Sequence, residues 1–277
     1  RDQGDVYVKT GTLRGHPVFI VKISPWFASN VVRGEAQHGF VGVFDSATGR
    51  TIALINDEHY LSDIRTAAAG ALAARVLAPR DVRTACVLGA GVQAYWQTLA
   101  LHRERPFETL LIWARNGERA SALQGRLRGA LPGVDMRVDA DLERAVRRAD
   151  VLVCATQSRE PLVHAAWLHE GQHITAVGAD DPSKCELDAG VLRQSRVFVD
   201  SIAASTANGD VYRAIAEGAY RAGDIAGEVG DVLAGRINGR QSDRDITVAK
   251  FVGIGAQDLV AAEVALERVG LHPSPLS

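Results

Sequence analysis

Cysteine is scarce: the chain of 277 residues holds three, Cys86, Cys154 and Cys185, with no C-x-x-C pair among them. Cys86 and Cys154 fall in apparent buried strands, where a free thiol behaves as a small apolar group. An odd, unpaired set suits a reducing cytoplasm rather than a disulfide-stapled fold. No apolar run approaches the roughly 20 residues needed to cross a bilayer. The Ala-rich stretch 67–78 is broken by Arg75 and reads as a core helix. No block of basic residues appears, and the net charge is −2, so neither nucleic acid nor an anionic membrane is a suggested partner. Neither H-E-x-x-H nor a Cys/His cluster is present. His164 and His169 merely flank Trp167, so no metal site is expected. The absence of G-x-S-x-G removes the commonest signature of a serine hydrolase. Met136 is the sole methionine, so the chain lacks an initiator and its front end is expected to have been trimmed or processed.

What is present reads as a soluble globular chain. It has 47% hydrophobic and 23% charged residues, and its length suits two domains or one large one. Strand-like runs occur at Val18–Val21, Phe40–Phe44 and Thr51–Ile55, the last two joined by the hairpin-like Asp45-Ser46-Ala47-Thr48-Gly49. A helix is expected over 60–78, ending before Pro79. From there strands at 83–88, 109–113, 134–138, 150–155, 172–177 and 196–200 alternate with helices near 92–104, 116–130 and 140–148. That rhythm predicts an α/β fold with a parallel, doubly wound sheet, because parallel neighbours need crossover helices. The tail offers a helix near 210–217, a Gly-rich connector at 227–240, a strand at 246–249 and a last helix at 256–268. The simplest architecture returns that last helix to the N-terminal region and makes its domain discontinuous.

Between the first strand of this series and its helix stands Gly89-Ala90-Gly91-Val92-Gln93-Ala94, a G-x-G-x-x-A dinucleotide fingerprint. Gly89 permits the tight turn, Gly91 lets the backbone approach a pyrophosphate, and Ala94 allows close helix–sheet packing. The helix N-terminus, beginning at Val92 and Gln93, offers N–H donors to phosphate. In NAD enzymes an acid usually ends the second strand and binds the ribose. Here Leu110-Leu111-Ile112-Trp113 runs into Ala114-Arg115-Asn116, without a carboxylate. Arg115 suits the 2′-phosphate of NADP. The alternative is a solvated loop arginine, with Glu118 reaching back to the ribose of NAD.

Three further groups of residues carry a resemblance. They are Arg65-Thr66-Ala67-Ala68-Ala69, Thr156-Gln157-Ser158-Arg159-Glu160-Pro161, and Val177-Gly178-Ala179-Asp180-Asp181-Pro182-Ser183-Lys184-Cys185-Glu186-Leu187. With Val199-Asp200-Ser201, Gly230-Asp231-Val232-Leu233-Ala234-Gly235-Arg236 and the fingerprint, they span most of the chain. Together they make it resemble the ornithine cyclodeaminase/mu-crystallin family, whose N-terminal helical stretch it lacks. The resemblance implies a Rossmann NAD(P)-binding domain over 69–252. It also implies a discontinuous α+β domain, 1–68 with 253–277, that binds substrate and forms a homodimer. Contacts to NAD or NADP are implied for Thr156, Ser158 and Val177, beside those of the fingerprint and Arg115.

Family members act on small amino or imino acids. In the cyclodeaminases bound NAD takes a hydride from Cα, the side-chain amine attacks the imine, ammonia leaves and the hydride returns. Other members reduce imines, and mu-crystallin also binds thyroid hormone. By position, Lys22 matches an active-site lysine, Arg65 the arginine that holds the substrate carboxylate, and Asp180 the aspartate that positions the amine and moves protons. Taken without the resemblance, Arg65 reads as a helix-surface cation, Lys22 as an edge-strand charge and Asp180 as a turn former before Pro182. Lys9 stands open as a second carboxylate contact. A finer likeness, through Val6-Tyr7-Val8-Lys9-Thr10 and Lys22-Ile23-Ser24-Pro25, is to cyclodeaminase-like proteins of ectoine breakdown. The expectation is thus an NAD(P)-dependent ammonia-lyase acting on an ornithine- or diaminobutyrate-like diamino acid. An NAD(P)H-dependent imine reductase and a non-catalytic NADPH-dependent binder are the alternatives.

Overall fold

Four strands open the chain: β1 (Gly4–Gly11), β2 (Val18–Phe27), β3 (Phe40–Asp45) and β4 (Thr51–Ile55), with the short helix α1 (Ala28–Arg33) after β2. The computed structural model describes residues 4–33 and 38–271, so the ends of the expected outer domain, 1–3 and 272–277, lie outside the described residues. The strands form an antiparallel sheet in the order β1-β2-β3-β4. Alternation along β2 buries Val18, Ile20, Lys22 and Ser24 on one face, as period-2 side-chain geometry requires. The last helix, α10 (Gly255–Arg268), packs on that face. Val18, Ile20, Val41 and Val43 meet Leu259, Ala262 and Leu266 there in one apolar cluster. Gly11 and Gly255 touch so closely that a Cβ on Gly255 would stand 1.9 Å from the Thr10 carbonyl oxygen. The structure divides into this unit, residues 1–65 with 254–277, and a second of residues 66–253.

The division falls within α2 (Tyr60–Leu77), an Ala-rich helix as its composition favours. Asp57 caps it, its carboxylate accepting the Leu61 N–H at 2.5 Å. Beyond α2 the alternation continues through β5 (Thr84–Leu88), α3 (Val92–Glu104), β6 (Thr109–Trp113), α4 (Gly117–Ala130), β7 (Asp135–Val138), α5 (Leu142–Arg148), β8 (Val151–Cys154) and β9 (His173–Ala176). There follow α6 (Ala189–Gln194), β10 (Arg196–Val199), α7 (Ile202–Ser205), α8 (Gly209–Ala216), β11 (Gly227–Glu228), α9 (Val229–Leu233) and β12 (Thr247–Lys250). The eight strands of this unit form one parallel sheet in the order β11-β10-β12-β9-β8-β5-β6-β7. Runs such as Ala85–Leu88 and Val151–Cys154 are buried throughout, the mark of strands covered on both faces. Asn116, Asp141 and Asp188 cap α4, α5 and α6 with side-chain oxygens.

This is the Rossmann arrangement: β6 and β7 step away from β5 on one side, while β8 begins the other half on its opposite side. The strand order therefore reverses between β5 and β8, where such sheets gather ligands beyond the strand carboxyl ends. The fold is α/β with a second, discontinuous α+β domain, as expected. Lys22 is not an edge-strand charge: β2 runs between β1 and β3, and the side chain faces inward. The expected connector at 227–240 contains both β11 and α9. Among the described residues no helix is long and apolar enough to cross a membrane.

Candidate active site

In the first unit three charged side chains from distant parts of the chain converge. Lys22 continues the inward row of β2 and is only 5% exposed. Its Nζ donates to Asp258 Oδ1 at 3.0 Å and also to the Ser62 hydroxyl. Arg65, one turn further along α2 than Ser62, donates from Nε to the same Oδ1 at 3.0 Å and from Nη1 to Gln257 Oε1 at 2.6 Å. Asp258 is 3% exposed, and its second oxygen, Oδ2, is buried without a hydrogen-bond partner among the described residues. Burial pushes the Lys22 ammonium below its usual range; Asp258 opposes that shift, while the charges of Arg65 and Lys9 add to it. Lys9 stands directly opposite Lys22 in the β1–β2 register. Arg65 is thus no surface cation, since Asp258 and Gln257 hold most of it away from water.

Asp258 is absent from the expected site residues. The signal that would find it is the stripe of α10: Asp258, Leu259, Ala262 and Leu266 are buried at helical spacing. A carboxylate on an otherwise apolar stripe calls for a buried cation, and Lys22 and Arg65 supply two. Lys22 and Ser62 also border a small cleft with Asp57 and His59. Glu58 and His59 there take left-handed backbone angles, φ 50° and 73°, which non-glycine residues adopt only where surrounding structure over-determines them. His59 Nδ1 lies 3.3 Å from Asp63 Oδ1, one turn into α2.

In the second unit the expected nucleotide contacts line one edge of the parallel sheet. Gly89 follows β5 with φ 115°, and a Cβ there would sit 2.4 Å from the Ala155 carbonyl oxygen. Its N–H donates to the Trp113 carbonyl at 2.8 Å, tying the turn to the end of β6. Gly91 precedes α3, with ordinary extended angles and nothing within 4 Å of a Cβ position. Its lack of a side chain thus serves no packing need within the protein. The opening residues of α3 present backbone N–H groups beside that space, and Ala94 is fully buried against the sheet. A pyrophosphate fits such a place, for the reasons of close backbone approach and helix polarity. Arg115 is exposed just after β6, and Glu118 lies exposed in the first turn of α4.

Thr156 and Ser158 follow β8, while Val177 and Asp180 follow β9, all at the same carboxyl edge. Asp180 is half exposed, and Lys184 Nζ reaches it at 2.6 Å and Asp181 at 3.3 Å. Burial disfavours the Lys184 charge, but the two carboxylates outweigh it and hold the ammonium above its usual range. His164 is engaged by Asp188 at 3.1 Å and by the edge of Trp167. The three cysteines are buried and unbridged.

The sheet, the reversal point and the glycine turn define an NAD-binding Rossmann protein with a second, discontinuous domain. The chain belongs to the ornithine cyclodeaminase/mu-crystallin family, whose profile matches residues 2–271. It is 38% identical over 268 residues to a Sinorhizobium fredii protein named an uncharacterized cyclodeaminase, covering 96% of this chain and 81% of that one. Its fold is similar to that of the Thermococcus litoralis Δ1-pyrroline-2-carboxylate reductase solved with NADH and L-proline. There the TM-score is 0.87 at 28% identity, over 99% of this chain and 90% of that one. A lysine cyclodeaminase solved for its recognition of L-lysine, L-ornithine and L-2,4-diaminobutyric acid gives 0.81 at 25% identity, over 99% and 81%.

Proposed function

We propose that this protein is an NAD(P)-dependent enzyme of the cyclodeaminase type, acting at Cα of a small diamino acid such as ornithine or diaminobutyrate. The observation that carries the reading is the pair of cations, Lys22 and Arg65, sharing the one carboxylate of Asp258. One positive charge is left over in a nearly water-free setting, which suits a single substrate carboxylate. Arg65 spends Nε and Nη1 on protein partners and keeps Nη2 for that carboxylate. Lys22, fixed by Ser62 and Asp258, is assigned the second contact, and Lys9 reinforces the positive field.

A nicotinamide held at the Gly89–Ala94 turn supplies the hydride acceptor and donor. In the proposed reaction Cα would give up a hydride and become an imine, the side-chain amine would add to it, the α-amino group would leave as ammonia, and the returned hydride would reduce the cyclic imine that remains. Asp180 orients that amine and carries the proton between the two nitrogens. With no acid after Trp113 and an exposed Arg115, NADP is the proposed preference. The first unit is also assigned homodimerisation: Val6, Val8 and Leu54 are each more than 60% exposed on its sheet, a mark of interaction surfaces when such residues cluster. Three free thiols fit a reducing, cytoplasmic setting.

An imine reductase is the second reading, favoured by the fold likeness to the reductase solved with NADH and L-proline. Ammonia release from a panel of diamino acids, with catalytic NAD(P)⁺ and nicotinamide absorbance followed together, separates the two. Ammonia without lasting NAD(P)H supports the cyclodeaminase, whereas stoichiometric NAD(P)H consumption on cyclic imines supports the reductase. Asp180→Ala should abolish ammonia release and leave nucleotide binding intact; near-normal turnover would remove Asp180 from the mechanism.

A further inference from the structure

Behind the carboxyl edge of the parallel sheet lies a second cluster of charges that the proposed reaction does not use. Glu186, Asp210 and Lys250 are 0%, 2% and 0% exposed. Every hydrogen bond that the Glu186 carboxylate accepts comes from one of two turns. Oε1 takes the Thr156 N–H at 2.7 Å and the Thr156 hydroxyl at 2.8 Å, both in the turn after β8. Oε2 takes the Gly178 N–H at 2.8 Å and the Ala179 N–H at 3.2 Å, both in the turn after β9. One side chain therefore ties together the segments that carry Thr156 and Ser158 on one side and Val177 and Asp180 on the other.

The tie is itself held from behind. Asp210, in α8, accepts the Glu186 and Leu187 N–H groups at 2.6 and 2.9 Å. Lys250, at the end of β12, lies 3.3 Å from Asp210 Oδ2. It donates to the Ala179 and Phe251 carbonyls at 2.6 and 3.1 Å. There is no slack in the arrangement. A Cβ on Gly178 would meet the Thr156 carbonyl oxygen at 2.2 Å and Glu186 Oε1 at 2.5 Å. Three of the four groups bonded to the Glu186 carboxylate are backbone N–H groups, which can only donate, and the ionised form satisfies them all; on Oε2, which meets N–H groups alone, a proton would face hydrogens and find no acceptor.

We propose that Glu186 is a positioning residue: its ionised carboxylate locks the turns after β8 and β9 into the one relative placement in which they receive the nicotinamide nucleotide and present Asp180. This rests on the reading that the nucleotide binds at this edge of the sheet. Buried charges with so many fixed donors are costly to assemble for stability alone, and all four donors here belong to the nucleotide-facing turns. Burial and the like charge of Asp210 raise the Glu186 carboxyl above its usual range, against the pull of Lys250 and Thr156. The ionisable groups facing it are Asp210 from α8, Lys250 from β12 and the Cys154 thiol from β8.

The test uses the full chain, NADH and NADPH fluorescence titrations, and amide hydrogen exchange. Wild-type affinity should weaken as pH falls from about 9 to 5.5, whereas Glu186→Gln should bind about tenfold more weakly at the upper end and show no such trend. Exchange in that variant should rise in 155–158 and 177–181 while β5 and β8 keep their protection. Unchanged affinity and pH dependence in Glu186→Gln would overturn the proposal, as would exchange raised evenly over the unit. If that variant fails to fold, Glu186→Asp, still charged but one methylene short of both turns, is read by nucleotide affinity and by exchange in the two turns, and wild-type values for both would overturn the proposal. A wild-type chain that binds neither nucleotide would defeat the proposed function instead, and the exchange data alone would then judge the tie.

Discussion

The carboxylate of Asp258 and the ammonium of Lys22 meet at 3.0 Å inside the first unit, and the Arg65 guanidinium reaches the same oxygen at the same distance. Removing the shared partner leaves two cations buried against each other. Asp258→Asn is therefore expected to destabilise the protein by about 3–5 kcal/mol, the range for breaking one side of a buried pair. Urea denaturation of the first unit, read by hydrogen exchange in α10 and β2, checks this. A cost below about 1 kcal/mol would show that the cluster behaves like a surface pair.

Lys22 makes a second, pH-dependent expectation. Its ammonium is held below the ordinary 10.5 by burial, so over the interval below 10.5 the folded chain carries less of this proton than the unfolded chain. Stability from this group consequently rises with pH across that interval. Substrate binding runs the opposite way, because a neutral amine cannot pair with a carboxylate. The kcat/KM profile should fall on its alkaline side with a midpoint below 10.5, and Lys22→Arg should remove that limb, since a guanidinium stays charged. An identical limb in the arginine variant would assign it to another group.

How far the sequence reaches is clear from these residues. The parallel strands, their crossover helices and the glycine turn were legible because apolar runs and their spacing encode local structure directly. Lys22 and Arg65 were nameable only through a motif likeness, and Lys22 read alone as an edge charge. Its neighbours in the sheet come from β1 and β3, pairings that single-strand periodicity does not contain. Asp258 lies 193 residues from Arg65 along the chain, so only tertiary packing makes it part of the site. Glu186 was visible within a motif, but its role is written in which N–H groups surround it.

The two fingerprint glycines should fail differently. Gly91 has ordinary backbone angles and open space at its Cβ position, so Gly91→Ala should melt like the wild type and lose at least about tenfold in NADH affinity. Gly89 combines φ 115° with a Cβ clash against the Ala155 carbonyl, and Gly89→Ala should lower thermal stability as well. Differential scanning fluorimetry beside a fluorescence titration distinguishes the two. Full NADH affinity in Gly91→Ala would move the pyrophosphate away from this turn.

Cofactor choice turns on Arg115, exposed after β6 where no carboxylate follows Trp113. Arg115→Ala should weaken NADPH about tenfold or more and NADH by less than about twofold, because only the former has a phosphate for the guanidinium. Equal losses for both nucleotides would leave Arg115 as a loop residue and return the ribose to Glu118.

His173 gives the fold an acid limit that can be measured without any ligand. Its ring is fully buried at the start of β9, with Nδ1 2.9 Å from Thr247 Oγ1 and Nε2 3.0 Å from Thr175 Oγ1. The Thr247 hydroxyl donates to the Leu77 carbonyl at 2.9 Å, so it accepts from Nδ1–H, and Nε2 accepts from Thr175. Both nitrogens are satisfied by the neutral ring. Burial, aided by the charges of Arg240 and Arg105, pushes the imidazolium down to about 3 from the ordinary 6.5. Below 6.5 the unfolded chain takes up a proton that the folded chain refuses, so stability falls with pH by about 1.4 kcal/mol per unit. By about pH 5 the loss from this one ring should reach about 2 kcal/mol. His173→Gln should be less stable at neutral pH but show a shallower decline in urea midpoint between about pH 6.5 and 5. Parallel curves for the two proteins would mean that His173 takes up its proton without unfolding the sheet.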